Sequence, residues 1–414
     1  MQVIRSTQEL DARIEACNRA EAVSDDAMRA VFDGLRMDPP GGLPPDPFSE
    51  AYRQAQLALY RDIAGRDYET ANEVTAFDIE AALRRPFPFS TGSSTTTGEQ
   101  LMAIGWLIRA MALPPGSRIV EFGPGWGNAT LALAKLGHRV TAVDIEPRFC
   151  ELIRRRAAQE GVEIEVVNDD FLWAERCDRR FDAALFYECF HHCADHLRLL
   201  RALQDTVVPE GRVFFAGEPI TQDFPMPWGL RLDGNSLWAI RRNGWLELGF
   251  RDDYFARALA ECGWHGLRQA CADPGWLTLW EARRHDQPVF RAGGGDTRLN
   301  TVVGRRDGDA ILLEGAAGTG LFGPYITLAE GTYLARLRFR AGLPAQGRAR
   351  MDVACGTGRH LLAERQVDGG MIGVAGAWLD LPFGGERDME TLEVRLFCEE
   401  GFQAAIEAVE ILVR

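Results

Sequence analysis

The chain has 414 residues, enough for roughly two or three domains, and its hydrophobic content of 46% is sufficient for sizeable cores. A net charge of −14 argues against a nucleic-acid partner, because phosphate backbones are bound by clustered lysine and arginine. No apolar run approaches the ~20 residues of a membrane span, and the N-terminus lacks the apolar core of a signal peptide. Nine cysteines without paired spacing suit a reducing compartment, so we expect a cytoplasmic protein.

Residues 1–94 are polar and predict a helical N-terminal segment. A break rich in proline and glycine occupies residues 39–45, and residues 48–63 place apolar side chains near helical spacing. From Arg118 to Arg284 apolar runs alternate with helical patterns. This alternation predicts a mainly parallel sheet with helices on both faces.

The most informative stretch is residues 119–128, IVEFGPGWGN, followed by a second apolar run that ends at Asp144. The three alternating glycines let the backbone turn sharply and approach a ligand closely. Asp144 is expected at the carboxyl end of its strand, where an open α/β sheet binds ligands, and can accept hydrogen bonds from ribose hydroxyls. The spacing GxGxG differs from the GxGxxG of dinucleotide sites, and Glu121 suits the ammonium of an amino-acid group. The pattern therefore favours S-adenosylmethionine over NAD.

On these residues, and over roughly positions 95–284, the chain resembles the class I S-adenosylmethionine-dependent methyltransferases. The resemblance implies a Rossmann-like, seven-stranded α/β core. It places the methionine part beside Glu121 and the glycines, the ribose on Asp144 with Ile145, and the adenine amino group on Asp170, with Asp169 as a near competitor. The cofactor-binding residues that it implies are Glu121, Gly123, Pro124, Gly125, Gly127, Asp144, Ile145, Asp169, Asp170 and Phe171. In this family the preceding helices often form a lid over the cofactor, and covering a sheet face or a partner subunit is an equally weighted alternative for residues 1–94.

Residues 219–251, after the fifth predicted strand, form an insertion rich in aromatics and arginine. Loops at strand ends carry specificity on rigid scaffolds, and flat aromatic faces beside arginine suit a sugar ring. We therefore expect the insertion to hold the acceptor. The alternative is that its tryptophans pack the insertion's own small core. The predicted substrate-binding residues are Trp228, Arg231, Trp238 and Arg241.

Four side chains are expected at the carboxyl ends of the fourth and fifth strands, where the chemistry must occur: Glu188, His191, His192 and Glu218. Methyl transfer requires alignment of acceptor, methyl and sulfur, and an alcohol acceptor usually needs a general base. We predict His192 as this base, with His191 as its neighbour or as a ligand of the acceptor. Orientation of the acceptor without proton removal is the alternative for the pair.

Cys189 and Cys193 flank the two histidines and raise the question of a metal site. Their spacing is not a usual zinc spacing, and no second pair of ligands lies at a typical distance along the chain. We therefore expect buried cysteines and no metal. A divalent ion that aids a diol acceptor stays open as the alternative.

After residue 284 the pattern changes to an expected linker over 285–298 and short alternating strands over 299–414. Glycine-bearing turns between the strands predict an all-β sandwich, which loosely resembles carbohydrate-binding jelly-roll modules. A structural or homodimer-forming role for this sandwich is equally weighted. Residues 352–363 look like a second glycine motif, but too few residues follow for another nucleoside-binding sheet. We interpret them as two strands joined by a turn.

The sequence thus predicts an S-adenosylmethionine-dependent O-methyltransferase with a small-molecule or glycan acceptor. The preferred acceptor is a nucleotide sugar or the end of a surface polysaccharide, because of the Trp/Arg insertion and the appended sandwich. A small aromatic or polyketide-like metabolite is the alternative acceptor. A third hypothesis is a non-catalytic glycan-binding or assembly protein, against which the intact Glu121, glycine and Asp144 set counts.

Overall fold

The structure of the protein, a computed structural model, describes residues 2–23, 25–74, 76–84, 94–285, 288–340, 345–372 and 378–413. The chain divides into two compact units, Met1–Arg284 and His285–Arg414. Across these described ranges, every helix is too short or too polar to cross a membrane.

The N-terminal unit begins with helices whose ends are set by capping residues. The Ser6 side chain caps one helix by accepting a hydrogen bond from the Glu9 amide, and Ser49 caps another by accepting one from the Tyr52 amide. Gly65 ends the second helix in the left-handed region, with φ 76°. The elements are β1 (Gln2–Ile4), α1 (Thr7–Glu21), α2 (Asp25–Phe32), β2 (Leu35–Met37), α3 (Glu50–Ala64), a 3-10 turn (Thr70–Glu73), α4 (Ile79–Arg84) and α5 (Ser94–Met111).

A seven-stranded sheet lies at the centre of this unit. From residue 118 the elements are β3 (Arg118–Phe122), α6 (Asn128–Lys135), β4 (Arg139–Asp144), α7 (Pro147–Glu160), β5 (Ile164–Asn168), α8 (Trp173–Arg176), β6 (Phe181–Tyr187), a 3-10 turn (Phe190–His192), α9 (His196–Thr206), β7 (Val207–Ala216), β8 (Ile220–Thr221), β9 (Trp228–Leu230), α10 (Gly234–Arg242), β10 (Leu248–Arg251), α11 (Asp252–Glu261), β11 (Trp264–Ala270) and β12 (Thr278–Arg284). The strand order is β11-β12-β7-β6-β3-β4-β5. The strands β3 to β7 pair in parallel, and β12 is antiparallel to both of its neighbours.

Both faces of this sheet are covered, as the alternation of strands and helices predicted. Neighbouring residues of one strand belong to different apolar clusters: Ile119 is in the cluster that includes Leu107 of α5, whereas Val120 is in the cluster that includes Leu199 of α9. Successive side chains of a strand point to opposite faces, so the near-continuous apolar strands are explained by burial on both sides. The parallel strands therefore end at one common edge.

The insertion after β7 forms a second, three-stranded sheet of order β8-β10-β9. Its helix, α10, contacts the N-terminal helices α1, α2 and α3. Tyr52 of α3 donates a hydrogen bond to the Trp228 carbonyl at 2.8 Å, and Tyr60 donates one to Gly244 at 2.6 Å. Hydrogen bonds and buried aromatic rings thus hold the N-terminal helices against the insertion.

The C-terminal unit consists of two antiparallel sheets around one apolar core. Its elements are β13 (Phe290–Gly293), β14 (Gly304–Asp307), β15 (Ala310–Glu314), β16 (Gly318–Leu321), β17 (Pro324–Leu328), β18 (Gly331–Phe339), β19 (Arg348–Cys355), β20 (His360–Asp368), α12 (Gly369–Ile372), β21 (Trp378–Gly385), β22 (Met389–Cys398) and β23 (Gln403–Val413). One sheet has the order β14-β15-β23-β18-β21 with β13 also on β23, and the other has β16-β22-β19-β20 with β17 also on β22. The core includes residues of both sheets, such as Leu337 and Val394. The predicted fold class, a Rossmann-like core with an all-β sandwich after it, is confirmed.

Two details of the C-terminal unit bear on the sequence predictions. The expected linker over 285–298 is wrong in part, because residues Phe290–Gly293 pair with Ala408–Ile411 and so belong to the sandwich. The glycine motif at 352–363 lies within a hairpin of β19 and β20, as interpreted, and not in a cofactor loop.

Candidate active site

The glycine turn follows β3 directly and leads into α6. All three of its glycines have left-handed φ values: 58° at Gly123, 50° at Gly125 and 75° at Gly127. The turn is closed by a hydrogen bond from the Gly127 amide to the Pro124 carbonyl at 2.8 Å. A Cβ at Gly125 would meet no atom within 4 Å. This open side of the turn, with no side chain in front of it, allows a ligand to approach the backbone.

Two buried acids flank this turn. Glu121 is 2% exposed and accepts a hydrogen bond from the Thr130 hydroxyl at 2.6 Å. Asp144, at the end of β4, accepts hydrogen bonds from the amides of Gly125 at 3.0 Å and Glu146 at 2.8 Å. Burial raises the pKa of Glu121 to about 7 and that of Asp144 to about 6. Carboxylates at this turn suit an ammonium and ribose hydroxyls, and they disfavour a phosphate.

The predicted adenine side lies after β5. The Asn168 amide side chain donates to the carbonyls of Asp144 and Ile145, both at 2.9 Å, which ties the ends of β4 and β5 together. Asp169 and Asp170 share the Arg176 guanidinium at 2.6 and 3.2 Å. Phe171 packs edge-on against Phe122 at the end of β3. The residues predicted for the cofactor are thus brought together along one sheet edge, and their roles stay predictions.

The predicted catalytic loop lies beside the glycine turn. The Cys189 thiol donates to the Phe122 carbonyl at 2.9 Å, and a Cβ at Gly123 would lie 2.8 Å from Cys189 Cβ. Glu188 has a left-handed φ of 54° and accepts a hydrogen bond from Gln100 at 3.3 Å. The predicted catalytic loop therefore packs directly against the predicted cofactor site.

Glu218 is a buried anchor for this loop. Its carboxylate accepts hydrogen bonds from the amides of Cys189 and Phe190, both at 2.9 Å, and of His191 at 3.2 Å. The same carboxylate lies 2.8 Å from Nδ1 of His191. With its oxygens occupied in this way, Glu218 positions the loop.

The two histidines lie with ring centroids 4.2 Å apart. Nδ1 of His192 lies 2.8 Å from the Leu246 carbonyl and 3.3 Å from Oε2 of Glu73. Nε2 of His191 lies 3.8 Å from Oε2 of Glu247, which also faces Nη1 of Arg231 at 3.4 Å. Burial lowers the pKa of each histidine to about 4, so both rings are neutral near pH 7.

Three of the four predicted substrate residues are placed elsewhere. Trp228 is 3% exposed, and its indole donates to the Pro47 carbonyl at 2.8 Å. Trp238 packs on Phe32, and Arg241 forms a two-point ion pair with Asp11. These side chains bury the contact with the N-terminal helices, so their assignment to an acceptor site is wrong. Arg231, the fourth predicted substrate residue, pairs with Glu247 and therefore lies near His191.

Sequence reasoning missed Glu73 and Glu247, and it included Trp245 only among the aromatic residues of the insertion. Glu73 comes from the 3-10 turn of the N-terminal segment, and its Oε1 accepts the Leu246 amide at 2.9 Å. Trp245 is half-buried and its ring lies 6.5 Å from that of His192. These contacts join parts of the chain that are far apart in sequence. The only local signal was the aromatic and charged composition of residues 245–247.

Comparison with known proteins adds an independent observation. Residues 119–211 match the methyltransferase domain family. The chain is 30% identical over 111 residues to a ubiquinone biosynthesis O-methyltransferase of Xanthomonas axonopodis pv. citri, covering 26% of this chain and 46% of that one. It is 32% identical over 130 residues to a protein-L-isoaspartate O-methyltransferase of Methylorubrum populi, covering 31% and 59%.

Among solved structures, it is similar to a Burkholderia thailandensis 1,6-didemethyltoxoflavin N1-methyltransferase with 20% identity and a TM-score of 0.34, over 61% of this chain and 94% of that one. The chain spans about half the length of the curated relatives it matches. The strand order, the open glycine turn, Asp144 and the family match agree on one conclusion. The chain carries a class I S-adenosylmethionine-dependent methyltransferase domain.

Proposed function

We propose that this protein transfers a methyl group from S-adenosylmethionine to a hydroxyl oxygen of a small polar acceptor. The observation that carries the proposal is the direct packing of the glycine turn against the loop that holds His191 and His192, where Cys189 contacts Phe122 and Gly123. S-adenosylmethionine supplies an electrophilic methyl carbon. The chain's own residues have to align the acceptor oxygen with that carbon and keep it there.

The neutral histidines suit this positioning role. The carbonyl of Leu246 is only an acceptor, so His192 carries its proton on Nδ1, and its Nε2 has a lone pair. An acceptor hydroxyl can donate to that lone pair while the carboxylates of Glu73 and Glu247 fix neighbouring hydroxyls. His192 stays our prediction for the group that receives the proton.

A sugar remains our preferred acceptor class, but the residues that support this choice differ from those predicted from the sequence. The cluster combines two imidazoles and two carboxylates with the Arg231 guanidinium and the half-buried Trp245 ring. Hydroxyl-rich ligands satisfy such groups, whereas an apolar ligand would leave buried polar atoms unpaired. The alternative is an aromatic metabolite, which is favoured by the curated O-methyltransferases named for ubiquinone biosynthesis. We also propose a cytoplasmic location, supported by nine free cysteines.

The test is release of S-adenosylhomocysteine with nucleotide sugars, free glycans and phenolic metabolites. We expect turnover on a sugar, a fall of roughly 100-fold in His192→Ala, and loss of cofactor binding in Asp144→Ala. His360→Ala, which removes an exposed imidazole in the C-terminal unit, is the control and should keep full activity. Turnover on phenols alone would overturn the sugar assignment. Binding of S-adenosylhomocysteine without any turnover would favour the non-catalytic hypothesis.

A further inference from the structure

The two histidines and Glu247 could also bind a metal ion, because their ligand atoms lie close together. One ligand atom from each of His191, His192 and Glu247 lies within 4.8 Å of the other two. Ligand atoms around one zinc ion, each about 2.1 Å from the metal, lie roughly 3–4 Å apart. Small side-chain rotations therefore bring the three groups to coordinating distance.

The hydrogen bonds of the two imidazoles leave the right nitrogens available. Nδ1 of His191 faces the Glu218 carboxylate at 2.8 Å, and Nδ1 of His192 faces the Leu246 carbonyl at 2.8 Å. Both partners accept hydrogen bonds, so each ring holds its proton on Nδ1 and has its lone pair on Nε2. Metal-binding histidines are usually held by a carboxylate or a backbone carbonyl in this way.

Several carboxylates also surround the two histidines. The carboxylates of Glu73, Glu218 and Glu247 contact or face the histidine pair, and all three are largely buried. Within the described residues, the permanent cation paired with one of these carboxylates, that of Glu247, is Arg231, which also pairs with Asp233 at 3.2 Å. Carboxylates therefore outnumber the guanidinium at this cluster, and a bound cation would stabilise their ionised forms.

We propose that His191, His192 and Glu247 bind a divalent transition-metal ion of the zinc class, with Glu218 and Leu246 orienting the imidazoles. Two imidazoles and one carboxylate form a donor set that suits zinc or iron(II), whereas magnesium prefers oxygen ligands and usually keeps several waters. The spacing of Cys189 and Cys193 had led us to expect no metal. The ligands come instead from the histidines between them and from a distant glutamate.

An ion at this position would lower the pKa of a bound hydroxyl. Because Nε2 of His192 would then bind the metal, the hydroxyl proton would pass to a nearby carboxylate such as Glu73 or to solvent. This consequence rests on the proposed function, but metal binding itself does not. The two can therefore be tested apart.

The experiment is calorimetric titration of the chelator-treated 414-residue protein with Zn²⁺ and with Mg²⁺, together with the absorption spectrum of bound Co²⁺. We expect one tight equivalent of Zn²⁺, visible d–d bands with Co²⁺, and much weaker binding of Mg²⁺. His192→Ala and Glu247→Gln should lose the tight equivalent. Glu218→Gln, which removes the negative charge beside Nδ1 of His191, should weaken Zn²⁺ binding roughly 10- to 100-fold. His360→Ala is the matched control and should bind Zn²⁺ like the parent protein.

Binding of S-adenosylhomocysteine to each variant reports that the sheet and the glycine turn are folded. A variant that binds S-adenosylhomocysteine normally but has lost Zn²⁺ supports the proposal. If His192→Ala and Glu247→Gln keep the tight Zn²⁺ equivalent, the ion is bound elsewhere and the proposal is wrong. Equal affinity for Mg²⁺ and Zn²⁺ would overturn the assignment of the metal class.

Discussion

The three glycines of the turn after β3 differ in what excludes a side chain at each position. A Cβ at Gly123 would lie 2.8 Å from Cys189, and one at Gly127 would lie 2.7 Å from Ile153, so both are excluded by packing within the protein. A Cβ at Gly125 would meet no atom within 4 Å. The absence of a side chain at Gly125 therefore serves an approaching ligand and not the packing of the chain.

Gly125→Ala is expected to weaken S-adenosylhomocysteine binding at least tenfold, because its methyl group projects into the cofactor's place. Its cost in the free energy of unfolding should be only about 1–2 kcal/mol, from the left-handed φ of 50°. Gly161→Ala is the control, since Gly161 also has a left-handed φ, 65°, and open space around it, but it lies after α7. Calorimetry and urea unfolding measure both quantities. Unchanged affinity in Gly125→Ala would show that the cofactor does not approach this turn.

Glu121 makes the stability of the cofactor-free protein depend on pH. Burial raises its pKa from 4.5 to about 7 in the folded state. Between these values the folded protein keeps a proton that the unfolded chain releases, so the contribution of Glu121 to the free energy of unfolding should fall as pH rises from about 4.5 to about 7. Glu121→Gln should remove this contribution and leave those of the other buried carboxyls whose pKa is raised in the same direction, among them Asp144 and Glu218. Urea unfolding at several pH values checks this, and equal slopes in both proteins would contradict it.

Among the elements, the N-terminal segment is the one whose role is most open to test. Phe77 packs on Trp126 of the glycine turn and on Phe149 of α7, with ring centroids 4.9 and 4.8 Å apart. Glu80 of α4 pairs with Arg155 of α7 at 2.7 Å. This part of the segment therefore lies against the turn that leads into α6, as expected of a lid.

Phe77→Ala should weaken S-adenosylhomocysteine binding by about tenfold if the segment acts as a lid, since an aromatic contact is worth about 0.5–1.5 kcal/mol. Phe48→Ala is the matched control, because Phe48 belongs to the same segment but packs on Tyr254, away from the glycine turn. Calorimetric titration of both variants distinguishes the alternatives. Equal affinities, with lower thermal stability in each, would mean that the segment only covers the core.

The elements also show where sequence reasoning succeeds and where it stops. The glycine turn and Asp144 are readable because each lies within a few residues of the strand that positions it. The cluster of His192 with Glu73 and Glu247 is not, since its contacts depend on how the N-terminal segment folds over the insertion. For the same reason Trp228 was assigned to a ligand although it packs under the N-terminal helices. Composition finds aromatic residues, but only tertiary packing decides which of them face a ligand.

At the scale of the whole molecule, each unit has its own apolar core. The core of the N-terminal unit includes Phe122 and Phe186, and the core of the C-terminal unit includes Leu337 and Phe402. The division falls between Arg284, which ends β12, and His285. Because the described members of each core all lie within their own unit, each unit has the apolar packing that independent folding requires.

A chain ending at Arg284 should therefore bind S-adenosylhomocysteine within about twofold of the full-length affinity, since every predicted cofactor residue lies before that point. Calorimetry on both proteins measures this, and a truncated chain that binds no cofactor would show that the units depend on each other. The same pair of proteins tests the sandwich. If it binds glycan, turnover on a polymeric acceptor should fall in the truncated chain while turnover on a small sugar is kept. Equal turnover on both acceptors would leave the sandwich with a structural or homodimer-forming role, which the mass of the two proteins in solution would then decide.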